Sequence, residues 1–285
     1  MTHSAGHSLL AIARFAVFGH PIAHSLSPRI HQAFARQCGI TLDFRAIDAA
    51  PDEFAAAVQD FFADGGVGAN VTLPHKAAAY VLAAEHSAAA ARVGTANVLT
   101  RLPDGQLAAH NTDGDGLVRD ITARHGVDLR GHGALLLGAG GAARGVAWSL
   151  LDAGVQSLVI ANRSARKAGQ LVAAIGDPSR AQALDWNRLA DAGSFELIVN
   201  ATSAGVLGKT LQLPGSLVGA RTRCYDLSYG AAAVGFLAWA RAAGAQRACD
   251  GLGMLVETAA DAFLLWHGQR PATEPVYQRL RADTA

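Results

Sequence analysis

The sequence of 285 residues is short of charge, of lysine and of cysteine, and each shortage excludes something. Charged residues make up 16%, below the share of about a quarter usual for globular domains. Net charge is +1, and no basic stripe stands out, so nucleic acid is not an expected partner. No apolar run is long enough to span a bilayer; residues 9–18 come closest and are broken by Arg14. That stretch has neither a basic leader nor a small-residue cleavage site, so no secretory signal and no membrane association are expected. The three cysteines, Cys38, Cys224 and Cys249, are scattered and odd in number. They give no disulfide framework and no zinc spacing, and they fit reduced thiols in a cytoplasmic protein. The eleven histidines likewise lack ligand spacing, so no metal is expected. There is no G-x-S-x-G elbow and no phosphate loop ending in Gly-Lys-Ser/Thr.

What is present is ample apolar material. Hydrophobic residues make up 51%, enough for one large domain or two modest ones. Of 24 basic residues only Lys76, Lys167 and Lys209 are lysine. Arginine cannot release its proton near neutral pH, so each lysine is either chance or a place where a titratable amine is needed.

Apolar stretches alternate with helical patterns. Strands are expected at 14–19, 42–47 and 67–72, with helices at 28–37, at 51–62 and from Pro74. Pro103-Asp104-Gly105 reads as the turn of a hairpin between 96–102 and 106–112, followed by a helix at 114–124. A second series then follows: strands at 134–137, 157–161, 197–201 and 223–227, and helices at 141–152, 164–174 and 231–243. Continuous apolar strands followed by helices indicate an α/β protein with a parallel sheet covered on both faces. From Leu252 onward only helical signals remain.

Five constellations carry chemistry. In His24-Ser25-Leu26-Ser27-Pro28, proline opens a helix whose free N–H groups favour an anion, and two hydroxyls suit a carboxylate. Plain capping by Ser27, with Ser25 idle, explains the same residues. In the segment 68–76, Asn70, Thr72 and Lys76 gather at a strand end, where open parallel sheets bind ligands. A cation is disfavoured in a first helical turn, which argues for a use of Lys76 other than solvation. Asn111-Thr112-Asp113-Gly114-Asp115 is turn-like, and supplies Asp113, or alternatively Asp115, as a carboxylate partner for Lys76. Gly138-Ala139-Gly140-Gly141-Ala142-Ala143 follows an apolar strand and opens a helix, the context a dinucleotide fingerprint requires. Finally, Asn162-Arg163-Ser164 stands 24 residues after Gly138, where an NAD site carries an acidic residue. Arg163, with Ser164 and Lys167, suits a 2′-phosphate instead, which points to NADP. Asn200 to Ser203, including Thr202, follow a further strand and suit a wall of the nicotinamide site.

Together these segments, in order across nearly the whole chain, closely resemble the shikimate dehydrogenases. The resemblance extends from Val17 to Pro28 and through 68–76, 111–114, 138–143, 162–163, 200–203 and 250–257. It implies a substrate domain at 1–112 and 251–285, and a Rossmann-type, doubly wound NADP-binding domain at 113–250. It further implies reversible NADPH-dependent reduction of 3-dehydroshikimate to shikimate, in a cytoplasmic monomer or homodimer of aromatic amino-acid biosynthesis. By resemblance Ser25 and Ser27 hold the substrate carboxylate. Thr72, Asn97 and Tyr229 line the pocket, and Lys76 with Asp113 form the catalytic pair. The cofactor falls to Gly138, Ala139, Gly140, Gly141, Ala142, Asn162, Arg163, Ser164, Lys167, Thr202 and Gly251. Three positions depart from the family pattern: Thr258 replaces a usual glutamine, Val98 a threonine and His20 an asparagine. The shorter Thr258 leaves room for a related acid such as quinate, so a broader quinate/shikimate dehydrogenase is the alternative. A non-catalytic dinucleotide and ring-acid sensor is a second, against which Lys76 and Asp113 both stand.

Overall fold

A computed structural model describes residues 12–284. Residues 9–11 of the apolar run, and the stretch read for a leader, lie outside the described residues. The first sheet is built from β1 (Ala13–Gly19), β2 (Leu42–Asp48), β3 (Gly66–Val71), β4 (Glu85–His86), β5 (Val98–Arg101) and β6 (Leu107–His110), in the order β2-β1-β3-β5-β6-β4. Its first three strands are parallel, but β5 runs antiparallel to both β3 and β6. The expected hairpin at Gly105 reverses the chain there, and β4 pairs with β6 in parallel, so β5 alone runs against the other strands. Helices α1 (Ser27–Cys38), α2 (Phe54–Ala63), α3 (Lys76–Leu82) and α4 (Ala88–Val93) connect these strands.

Helix α5 (Asp113–Arg119), continued by a π turn at Asp120–Arg124, leads to the second sheet. Here β7 (Gly133–Leu137), β8 (Ser157–Asn162), β9 (Ala181–Asp185), β10 (Phe195–Asn200), β11 (Val218–Asp226) and β12 (Arg247–Cys249) are ordered β12-β11-β10-β7-β8-β9. Every pairing in it is parallel. The strands are continuous apolar runs because α6 (Gly141–Asp152) and α7 (Ala165–Ile175) cover one face and α8 (Val234–Ala242) the other. After β9 the chain returns to place β10 beside β7, so the strand order reverses there, and open α/β sheets bind ligands at such a point.

The last helices, α9 (Leu252–His267) and α10 (Glu274–Thr284), do not join the second sheet. Phe263, Val256 and Leu280 pack with Ile30 and Phe34 of α1. Helix α9 also meets α5 closely: a side chain at Gly116 would strike the Thr258 methyl at 2.4 Å, and one at Gly253 the Asp120 carboxylate at 2.0 Å.

Asp120, fully buried, accepts from Tyr225 at 2.7 Å and from Arg124 at 2.7 Å, with His125 Nε2 at 3.5 Å. The hydrogen bond to Asp120, aided by one to Cys249, lifts the His125 pKa from 6.5 to about 9. A raised basic pKa stabilises fully below the unfolded value and is lost as pH climbs through the folded one. Denaturation at pH 6 and pH 9.5 is therefore expected to differ by on the order of 2 kcal/mol, and His125→Gln is expected to flatten that difference.

Candidate active site

A cleft of about 1550 Å³ lies between the carboxyl ends of the two sheets. All nineteen residues that the sequence assigns to substrate, cofactor or proton transfer line it, from Ser25 to Thr258. They come from strand ends and helix starts far apart in the chain.

Lys76 is the first residue of α3. The helix starts there rather than at Pro74, because Pro74 and His75 form a turn in which His75 N–H bonds to Thr72 C=O. His75 is buried and stacks on Phe54 at 4.2 Å. Burial lowers its pKa, so the neutral ring donates Nε2–H to the Ala49 carbonyl at 2.8 Å and pins the start of α3. Asp113 is the first residue of α5, a favourable end for a carboxylate. Lys76 Nζ donates to Asp113 Oδ2 at 2.6 Å, with side-chain exposures of 15% and 5%. Asn97 Nδ2 donates to Asp113 Oδ1 at 2.9 Å, so each carboxylate oxygen has its own donor. Asp115, the alternative partner, is exposed and turned away from the cleft.

The sequence named Asn111 only as part of a turn, and its support of Asp113 was not read there, nor was that of Gly145. Asn111 Oδ1 accepts from the Asp113 backbone N–H at 3.1 Å, and Asn111 Nδ2 donates to the Thr95 carbonyl at 3.0 Å. Gly145, inside α6, leaves the space the aspartate fills, since a methyl there would stand 2.9 Å from Asp113 Oδ2. Glycine inside a helix carries a propensity penalty, and that penalty was the available signal.

Ser25 and Ser27 sit at the start of α1, but Ser27 does not cap it. Leu26 occupies the capping position without a side-chain bond, and Ser25 Oγ accepts from the Ser27 N–H at 3.3 Å. The helix thus has no side-chain cap, and Ser25, expected to be idle, makes the one serine contact there, because Ser27 already lies within the helix. Tyr229 faces Leu26, and burial raises its pKa. Thr258 turns its hydroxyl back to the Leu255 carbonyl at 3.0 Å. It presents no donor of its own to a ligand.

The Gly138–Gly140 loop lies where β7 and β10 separate. Gly138 has φ 110°, and a side chain would meet the Ala201 carbonyl at 2.9 Å. Gly140 faces open space, with nothing within 4 Å of an added methyl. Such a cradle, ahead of the N–H groups of α6, admits a pyrophosphate. Arg163, Ser164 and Lys167 line the cleft at the end of β8, with no carboxylate among them. Thr202 donates its hydroxyl to Asn200 Oδ1 at 2.8 Å, and Asn200 in turn donates to Asp226 at 2.8 Å. Burial pushes Asp226 up to about 6. The first turn of α6 approaches the proton pair, with the Lys76 side chain 3.6 Å from the site of an added methyl at Gly141. Lys209 also lines the cleft, so all three lysines of the chain do. Asp113 is the only carboxylate among the lining residues. The described residues contain no group of three or more His, Cys, Asp or Glu side chains able to hold a metal ion.

Residues 17–99 match the shikimate dehydrogenase substrate binding domain, and residues 120–207 match shikimate / quinate 5-dehydrogenase. The chain is 57% identical over 276 residues to the shikimate dehydrogenase (NADP(+)) of Xylella fastidiosa (strain M12), covering 96% of this chain and 98% of that protein. This chain belongs to the shikimate dehydrogenase family. Among solved structures, an Ael1 enzyme from Pseudomonas putida is 42% identical, with a TM-score of 0.85 over 94% of this chain and 98% of that one. The shikimate 5-dehydrogenase of Thermus thermophilus, solved in complex with NADP(H) and shikimate, is 30% identical. It covers 95% of this chain and 99% of its own, with a TM-score of 0.81.

Proposed function

We propose that the protein is an NADP-dependent shikimate dehydrogenase that reversibly reduces 3-dehydroshikimate to shikimate, and that Lys76 and Asp113 handle the proton. The observation that carries the reading is the 2.6 Å Lys76–Asp113 pair beside the open glycine cradle of a single cleft. In this assignment residues 1–112 and 251–285 form the substrate domain and 113–250 the NADP-binding domain. The enzyme acts in the cytoplasm, consistent with its three free cysteines, as a monomer or homodimer in aromatic amino-acid biosynthesis.

The nicotinamide, when bound, supplies the hydride. Lys76 Nζ would then give a proton to the ketone oxygen that becomes the hydroxyl, and take it back in the oxidising direction. Asp113 Oδ2 holds the ammonium in place, and Asn97 holds Asp113. Ser25 and Ser27 receive the substrate carboxylate at the N-terminus of α1, where free N–H groups favour an anion. Thr72 and Tyr229 complete the wall on that side. Gly138 to Ala142 hold the pyrophosphate, while Asn162, Arg163, Ser164 and Lys167 hold the 2′-phosphate. Thr202 and Gly251 border the nicotinamide.

Position 258 tests the substrate range. Thr258 uses its hydroxyl on Leu255, so a ring hydroxyl there meets a methyl or water. Thr258→Gln is expected to lower the shikimate KM by about two- to ten-fold, one regained hydrogen bond. Parallel kcat/KM values of the native protein for shikimate and quinate, each with NADP and NAD, test the assignment itself. A preference for quinate with NAD would replace it with the broader enzyme; binding of both ligands without turnover would leave a sensor.

A further inference from the structure

Outside the cleft, the π turn after α5 brings a carboxylate, an imidazole and a sulfur together. An α-helix sets residues i and i+5 on different faces, whereas the i to i+5 bond of a π turn brings them onto one side. The His125 N–H makes that bond to the Asp120 carbonyl at 3.1 Å. The ring thus reaches back over its own turn, with Nε2 3.5 Å from Asp120 Oδ2. Tyr225 and Arg124 already satisfy Asp120, so the fold does not need His125 to neutralise it. Cys249 stands opposite Tyr225 across the β11–β12 pairing, and paired positions share a face of the sheet. Tyr225 meets the His125 ring edge-on with centroids 6.4 Å apart, and Cys249 hydrogen-bonds to the same ring. Arg247, two residues before Cys249, donates to the His125 carbonyl at 3.2 Å. Asp120, His125 and Cys249 do not line the cleft, and the proton chemistry above uses none of them.

The three cysteines differ in their surroundings. Cys224 precedes Tyr225 by one residue, so it points to the other face of the sheet, into the core under α8. Burial pushes its thiol up to about 12. Cys224 and Cys249 point apart, which excludes a disulfide between them. Cys38 lies against the apolar cluster of α1 and α9. Cys249 is only partly buried and has an imidazole against it. The nucleophile of cysteine chemistry is the thiolate, and a neighbouring histidine cation favours it. Asp120 keeps His125 in that cationic form at neutral pH.

We propose that Cys249 is a modification site, at which a thiolate paired with the His125 imidazolium reacts with a hydroperoxide to give a sulfenic acid. The sulfur attacks one peroxide oxygen, and the S–O bond forms as the O–O bond breaks. Sulfur is oxidised by two electrons and the peroxide is reduced by two. His125 gives its proton to the departing oxygen, which leaves as water from hydrogen peroxide. The charged and titratable groups around the ring are Asp120, Arg124, Tyr225 and Arg247. A histidine that only filled this corner would leave Cys249 no more reactive than Cys38. The proposal does not rest on the dehydrogenase reading.

The full chain is treated with iodoacetamide at pH 7, and the labelling rate of each cysteine is read by peptide mass spectrometry. Cys249 is expected to react about ten-fold faster than Cys38, with Cys224 unlabelled. His125→Gln is expected to slow Cys249 about ten-fold and to leave Cys38 unchanged. After hydrogen peroxide and then dimedone, the adduct is expected on Cys249 and is expected to be lost in Cys249→Ser. A Cys249 rate no greater than that of Cys38, or one that His125→Gln does not change, overturns the proposal. So does an adduct missing from native Cys249, or one that persists in Cys249→Ser. Cys224 reports on folding: if it becomes labelled in His125→Gln, that variant has opened, and the comparison of Cys249 with Cys38 in the native protein decides.

Discussion

Lys76→Ala is expected to lower kcat for shikimate oxidation by about 10²- to 10⁴-fold, the range a positioned proton-transfer group contributes. The loss should fall on kcat and kcat/KM together, because the proton moves only in the transition state. NADP affinity should stay near its native value, since the residues proposed to hold the phosphates lie on other elements. The substitution also strands Asp113, whose side chain is 5% exposed. Removing one partner of a buried ion pair destabilises by about 3–5 kcal/mol, so a lower melting temperature accompanies the loss of activity. Asp113→Asn separates the two effects. It keeps an acceptor facing Lys76 and a shape that fits beside Gly145. Lower turnover in that variant, with a native melting temperature and intact NADP binding, ties the loss to the proton. Native kcat in both variants would remove the pair from the mechanism.

The second large effect belongs to Arg163. Charge-assisted hydrogen bonds contribute about 1.5–3 kcal/mol each, so Arg163→Ala is expected to raise the NADPH KM by about 10- to 100-fold. NADH lacks the 2′-phosphate, and its KM should move little. The ratio of the two specificity constants therefore collapses while kcat for either cofactor is kept. Raising ionic strength should erode native NADPH affinity more than that of the variant, because exposed charge pairs are screened. An equal loss with both cofactors would place Arg163 on the adenosine or the pyrophosphate instead.

Local chemistry was legible before any coordinates. Glycines at 138 and 140, ahead of a helix, fix their own turn, and the basic residues after β8 come to the cleft with no carboxylate among them. Gly39 stops α1 in left-handed geometry, two residues past the helix expected at 28–37. The scarcity of lysine pointed at three positions, and all three line the cleft. The misreadings were also local. Pro74 marks a turn before α3 rather than its first residue. The short β4, β9 and β12 and helix α4 escaped notice, being too brief to show a period.

Sequence alone thus determined the two series of strands and helices, the glycine turn ahead of α6, the basic cluster after β8 and the residue types available for proton transfer. Each depends on neighbours a few positions apart, whose geometry the backbone dictates. Only the tertiary structure decided that Asp113 rather than Asp115 meets Lys76, that Asn97 takes the second carboxylate oxygen, and that His31 reaches Asn70. Those partners are separated by 16 or more residues, so strand order and the close α5–α6 crossing at Gly114 and Gly145 bring them together, and no local spacing encodes that.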